Sequence, residues 1–227
     1  MLDLVLPRRC PLCDSILLPQ EQALCLKCMT LLPRVRADEP GNEVERRLFG
    51  RFDFEHATSF CYYRPKGVFS KVLRLSKFGD RPWLNARFTR LFAQELQASA
   101  AGALWPYDID VIVPVPLHTF RLLRRGYNQS MAIAEELSRF WRLPVQTRCL
   151  YKRRFTRSQV GLSGHERIHH EEGSFGVRHP ELLEGKHVLI VDDIMTTGAT
   201  IVAAADALLA AVPRVRLSVL TLAFATH

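Results

Sequence analysis

The chain of 227 residues has no apolar run approaching the roughly 18 residues that a membrane-spanning helix requires. Its first residues, MLDLVLPRRC, carry an acid at Asp3 and only a handful of apolar residues before Pro7, so the basic start and apolar stretch of a secretory signal are both missing. A cytoplasmic protein without a membrane span is therefore expected. Internal repeats and low-complexity segments are absent as well, which argues against a solenoid or a disordered tail. In a reducing compartment six cysteines do not make a disulfide scaffold, and paired cysteines are better read as metal ligands or redox motifs.

What is present is an ordinary globular composition, 48% hydrophobic and 24% charged, enough for one good core and a small appendage. The net charge of +8 is unevenly spread. Residues 64–90 hold eight Lys/Arg against one acid, and residues 121–170 hold eleven against three, which favours phosphorylated metabolites or nucleic acid as partners. Residues 36–50, polar and turn-rich, read as a linker, so residues 1–50 are expected to form a cysteine module with its linker and residues 51–227 the main domain.

Beyond the linker, apolar runs alternate with stretches of helical period. Strands are expected at 56–63, 108–116, 145–152, 187–193 and 215–224, and helices at 82–96, 130–141 and 199–211. Strands that are apolar throughout, separated by helices, imply an α/β domain whose parallel sheet is covered on both faces.

The stretch VLIVDDIMTTGAT, residues 188–200, ends such a strand in Asp192 and Asp193. It continues through Ile194, Met195, Thr196, Thr197, Gly198, Ala199 and Thr200 into an Ala-rich helix. Ligands of open α/β sheets bind beyond the carboxyl ends of the strands, and hydroxyls, a glycine and free helix-start amides together suit a phosphate. Two carboxylates beside a phosphate would repel it unless they hold something else, such as sugar hydroxyls or a divalent cation. The plainer alternative is a helix N-cap and nothing more.

This string resembles the phosphoribosyl diphosphate (PRPP) motif of the type I phosphoribosyltransferases along its full length. The resemblance implies that Asp192 and Asp193 bind the ribose 2′ and 3′ hydroxyls, that residues 196–200 wrap the 5′-phosphate, and that PRPP arrives with Mg²⁺. A second string, VPVPLHTFRLLRRGYNQS at 113–130, is a buried strand followed by a basic turn and an amphipathic helix. Its arginines are either an anion contact or a solvated basic face. It resembles the ComF family of competence-associated phosphoribosyltransferase-like proteins and, in this stretch, the glutamine amidophosphoribosyltransferases. That implies a pyrophosphate loop of Pro114, Val115, Pro116, Leu117 and His118, with Arg125 as an anion contact. Residues 151–175 form a basic stretch without a sustained period, in which Arg153, Thr156 and Gln159 match a flexible loop that folds over PRPP in similar proteins. Lys77 also matches a family position, although a surface lysine accounts for it equally.

Near the start, Cys10 and Cys13 form one C-x2-C pair and Cys25 and Cys28 a second, eleven residues on. Two such knuckles suit four thiolates around one structural Zn²⁺, and a redox pair would need only one of them. The ComF resemblance extends to this module.

Three functions follow as expectations. The first is phosphoribosyl transfer from Mg²⁺-PRPP to an unidentified acceptor, linked to natural competence and DNA uptake. The second is binding of single-stranded DNA by the basic stretches and their aromatic residues Phe78, Trp83, Tyr127 and Phe155, with a silent PRPP domain. The third is a zinc-dependent adaptor. A competence helicase and a second copy of the chain complete the expected partners.

Overall fold

The structure, a computed structural model, describes residues 7–37, 39–78, 83–99, 102–118, 122–123, 126–153 and 173–226. Four parallel strands form its main sheet in the order β1-β6-β5-β2, where β1 is His56–Tyr63, β2 Val111–Pro114, β5 His187–Met195 and β6 Arg216–Ala225. Two shorter strands, β3 (Leu150–Lys152) and β4 (Phe175–Val177), pair antiparallel beside it.

Apolar runs in β5 and β6 follow from burial on both faces. Leu189, Val191 and Leu220 belong to one apolar cluster, whereas Val188, Ile190 and Val219 belong to the other. Successive side chains point to opposite faces of a strand, so a residue pattern that never alternates means that neither face meets water. The first cluster is closed by α3 (Val68–Phe78), α4 (Trp83–Ala98) and α6 (Gln129–Trp141), with Phe60 stacked 5.0 Å from Phe92 and Phe69 edge-on to Phe88 at 5.5 Å. The second is closed by α7 (Ala199–Ala211), whose Ala203, Ala204 and Ala205 let the helix approach the sheet closely, and by the short α2 (Glu43–Leu48). Two further short helices are α1 (Leu26–Thr30) and α5 (Trp105–Asp108).

Both sheet edges are covered. Residues 33–35 run antiparallel along β1, with the Tyr62 amide donating to the Pro33 carbonyl at 2.7 Å and the Val35 amide to Phe60 at 3.1 Å. On the other side Val145 bridges Ile112 in parallel. An unpaired row of backbone groups is thereby hidden at each edge. Among the described residues no helix is long and apolar enough to cross a membrane.

The fold class agrees with expectation, and the differences are local. The strand expected at 145–152 is broken, because Val145 makes one bridge on the main sheet and only Leu150–Lys152 continues, as β3, on a different partner. Its polar middle, Gln146-Thr147-Arg148, has no buried face to offer either sheet. The strand expected at 108–116 shrinks to Val111–Pro114, since Asp108 belongs to α5 and Pro116 cannot donate to a ladder. Helix α3 was not anticipated. The stretch read as a linker contains α2, capped by Asn42, whose Oδ1 accepts from the Val44 and Glu45 amides at 2.9 and 3.2 Å while its Nδ2 donates to the Ala57 carbonyl of β1. Val44 and Leu48, one helical turn apart, are wholly buried.

Candidate functional site

Adjacent strands bring the two PRPP-like strings together at the C-terminal rim of the sheet. Pro114 pairs with Val191, and the Val115 amide donates to the Val191 carbonyl at 2.9 Å, so the expected pyrophosphate loop leaves β2 where β5 delivers Asp192. Asn128 and Ser130, at the start of α6, tie this corner. The Asn128 side chain accepts from the Ser130 amide and donates to the Val115 carbonyl at 3.1 Å, while the Ser130 hydroxyl donates to Asp192 Oδ1 at 2.7 Å. Sequence reasoning quoted both residues without giving them a task. One short helix start therefore holds the loop at Val115 and the carboxylate of Asp192 at once.

Asp192 is half-buried and its Oδ1 also accepts from the Asp193 amide at 2.9 Å, whereas Asp193 is 7% exposed. Ile194 and Met195 end the strand opposite Ala223 and Phe224, and residues 196–198 turn into α7. Thr196 and Thr200 are half-buried, Thr197 and Ala199 buried. Gly198 caps α7 at φ +83°, a left-handed conformation that glycine alone adopts without strain. A Cβ there would lie 3.1 Å from Leu48 Cδ2 and 3.4 Å from an Arg51 nitrogen, so a side chain would also press on Leu48. The first-turn amides of α7 lack intrahelical acceptors by geometry and carry the positive end of the helix dipole, which is where an anion is stabilised.

The outer side of this turn is braced by α2 and the residues after it. Arg47 donates to the Thr196 carbonyl at 2.8 Å and Arg51 to the Thr197 carbonyl at 2.6 Å. Carbonyls held outward leave the amides of the same peptides facing the other way. The signal that identifies α2 was present in the sequence as Asn42-x-x-Glu45, a capping pattern, followed by an apolar pair spaced by four.

Other expected residues divide. Pro114 and Val115 are buried, and Pro116, Leu117 and His118 line the rim half-buried. Lys77 lies in the last turn of α3, beside Ser76, whose carbonyl accepts from the Tyr127 hydroxyl. Arg153 stands at the root of the expected flexible loop, where its amide donates to the Ser174 carbonyl at 2.7 Å. That root is the β3-β4 pair. Arg125, Thr156 and Gln159 lie outside the described residues, as does most of that loop.

At the opposite end of the strands a Ser-His-Asp string meets the distances of a hydrolase triad: His187 Nε2 lies 2.8 Å from Ser218 Oγ, and its Nδ1 2.9 Å from Asp108 Oδ2. Ser218 and His187 are fully buried, so no substrate reaches the hydroxyl and the string pins the base of the sheet.

The four cysteines converge as their spacing implies. Their sulfurs lie within 4.8 Å of one another, with Cys13 and Cys25 3.5 Å apart. Sulfurs 2.3 Å from one tetrahedral ion would be about 3.8 Å apart, so the donor set fits zinc. The first knuckle is a tight turn with the Asp14 amide donating to the Cys10 carbonyl, and the second places Cys25 at the N-cap of α1 and Cys28 within that helix. Crowding drives the thiols in opposite directions. The Ser15 hydroxyl and amide, foremost, draw the Cys13 pKa down to about 6, whereas burial pushes that of Cys28 up. A cation resolves this conflict by favouring the thiolate at every position.

Comparison with known proteins agrees with both halves. The sequence profile of the phosphoribosyl transferase domain matches residues 89–225 and that of the double zinc ribbon domain matches residues 1–39. The chain is 29% identical over 215 residues to the DNA utilization protein YhgH of Salmonella typhi, covering 91% of this chain and 92% of that one. It is also 29% identical over 144 residues to competence protein F of Haemophilus influenzae, covering 62% of this chain and 60% of the relative. Among solved structures, glutamine phosphoribosylpyrophosphate amidotransferase from B. subtilis, complexed with ADP and GMP, aligns at 20% identity with a TM-score of 0.40, over 64% of this chain and 30% of that one.

Proposed function

This chain belongs to the phosphoribosyl transferase domain family, and from that premise we propose that it binds Mg²⁺-PRPP at the C-terminal rim of its sheet and acts in DNA utilization or competence. The observation that carries the reading is the corner at which Asn128 and Ser130 lock the Val115 loop against Asp192. The relatives named for DNA utilization and competence support the biological setting.

In this reading Asp192 and Asp193 accept from the ribose 2′ and 3′ hydroxyls, and the α7 start with residues 196–200 receives the 5′-phosphate on its amides and hydroxyls. Pro114 to His118 and the helix end bearing Lys77 face the diphosphate. Mg²⁺ arrives with the diphosphate and neutralises part of its charge. Phosphoribosyl transfer would then break the bond between ribose C1 and the diphosphate oxygen and form one to an acceptor nucleophile, which loses its proton. The protein contributes position and stabilisation of the departing charge. The zinc module, through residues 1–50, and the main domain from residue 51 are the two structural units of this proposal.

The test is a calorimetric titration of wild type and of an Asp192→Asn/Asp193→Asn double variant with Mg²⁺-PRPP. Binding by the wild type and its loss in the double variant are expected. Equal binding by both, or by neither, would sink the assignment.

A second reading, single-stranded DNA binding, is favoured by exposed Arg64, Lys66, Lys71 and Arg74 and by a 40% exposed Trp83 that carries Arg87 over its ring at 4.5 Å. It predicts affinity for an oligothymidylate that falls steeply with salt and survives the double substitution.

A further inference from the structure

Between α2 and the end of β6 lies a cleft of about 480 Å³ lined by Glu43, Arg46, Arg47, Phe49, Arg51 and Phe224. Its charge is lopsided. Three guanidinium groups share it with one carboxylate, that of Glu43. Each arginine gives a donor to a backbone carbonyl, Arg46 to Gly41 at 2.6 Å, Arg47 to Thr196 and Arg51 to Thr197. Among the described residues none of the three stands in an ion pair. A guanidinium has five N–H donors, so most of their capacity remains for something else.

Burial, foremost, and the neighbouring Arg51 charge act against the charged form of Arg47, and Glu43 offsets only part of this. Three guanidinium groups gathered around one carboxylate leave an excess of positive charge whose cost a bound anion would lower. The floor is aromatic, with Arg47 over the Phe224 ring at 5.0 Å, and the lip is Phe49, 83% exposed at the end of α2. A large apolar ring left in water beside a cationic cleft is the combination that stacks a planar base while arginines hold its phosphate.

We propose that this cleft is a binding site for a small phosphate-bearing aromatic ligand, a nucleotide, with its phosphate on Arg46, Arg47 and Arg51 and its ring on Phe49. The volume suits one such molecule rather than a macromolecular groove. The site lies on the carbonyl side of the Thr196-Thr197 turn, so the arginines that hold the ligand also brace the turn. Occupancy of the cleft therefore changes the affinity of the turn for its own anion, and the reverse holds by the same factor. This coupling rests on the PRPP reading above. The binding itself does not.

The test titrates the full-length, zinc-loaded protein with AMP, adenosine and inorganic phosphate. AMP binds, phosphate competes with it, and adenosine at the same concentration does not bind. Arg46→Ala, which spares the two arginines that brace the turn, weakens AMP about tenfold or more, and Phe49→Ala about fivefold. The Asp192→Asn/Asp193→Asn variant keeps its AMP affinity even if PRPP binding is lost or was never present. Saturating AMP shifts the affinity for Mg²⁺-PRPP. Absence of AMP binding, or AMP binding that the double variant loses and Arg46→Ala retains, overturns the site. An oligothymidylate bound more tightly than AMP with the same Arg46 dependence overturns the small-ligand assignment in favour of a single strand.

Discussion

The cysteine module and the sheet it sits against solve one problem by different means. Around Asp192 the backbone is held by two helical layers and by clusters in which Val188, Leu189, Ile190 and Val191 are wholly buried. Around Cys13 the chain has five residues of helix, two tight turns and several large apolar side chains left in water, Ile16, Leu18, Leu26 and Leu31 among them. About 30 residues bury too little surface to offset their conformational entropy, so coordination replaces the missing core. The two regions are nonetheless joined. Cys10, Leu17, Leu24 and Leu32 belong to the same apolar cluster as Phe60 and Phe92.

The sharpest way to break this contrast is to remove the metal. A strong chelator should unfold residues 8–32 first, because about 10 kcal/mol of metal binding is coupled to their folding. Limited proteolysis with zinc release followed in parallel checks this, and a module that stays resistant without metal would place it with the sheet. Next in size is Leu48→Ala. Loss of a fully buried leucine should cost about 2–5 kcal/mol in a denaturant titration, and it should loosen the turn at Gly198 that Leu48 touches. Gly198→Ala comes third, at about 1–3 kcal/mol for the left-handed backbone, and should abolish anion binding at the α7 start. Smallest is Ser130→Ala. Stability should shift little, while the affinity for Mg²⁺-PRPP falls by about tenfold, in line with one lost hydrogen bond to a carboxylate. If Ser130→Ala instead unfolds the protein, the rim owes its shape to that bond and resembles the module more than the sheet.

A chemical probe sharpens the same contrast without mutation. Burial pushes the Cys61 thiol up to about 12, so it should resist alkylation at pH 8, whereas the four module cysteines, set free when zinc is removed and residues 8–32 unfold, should react.

Legibility in the sequence followed the range of the interactions. The strand at 56–63, most of the strand His187–Met195, read as 187–193, and the helix at 199–211 were readable because burial on both faces, or on one helical stripe, leaves a periodic record. The four cysteines were readable because a tetrahedral ion demands local spacing. The α2 brace was hidden among Arg46, Arg47 and Arg51, since a charged segment scores as a loop even when Val44 and Leu48 anchor it. Asn128 and Ser130 lay inside a noticed string, yet their partners at Val115 and Asp192 are brought near only by strand pairing.

From the residues alone came the parallel sheet, the metal module and the residue types that each rim loop carries, because propensity, periodicity and ligand spacing act over a few neighbouring positions. Tertiary structure alone decided which loops share a corner, which face of the Thr196-Thr197 turn is blocked by arginines, and that Phe49 overhangs a cationic cleft. Those facts depend on contacts between residues as much as 149 positions apart, and no local pattern encodes a pairing at that range.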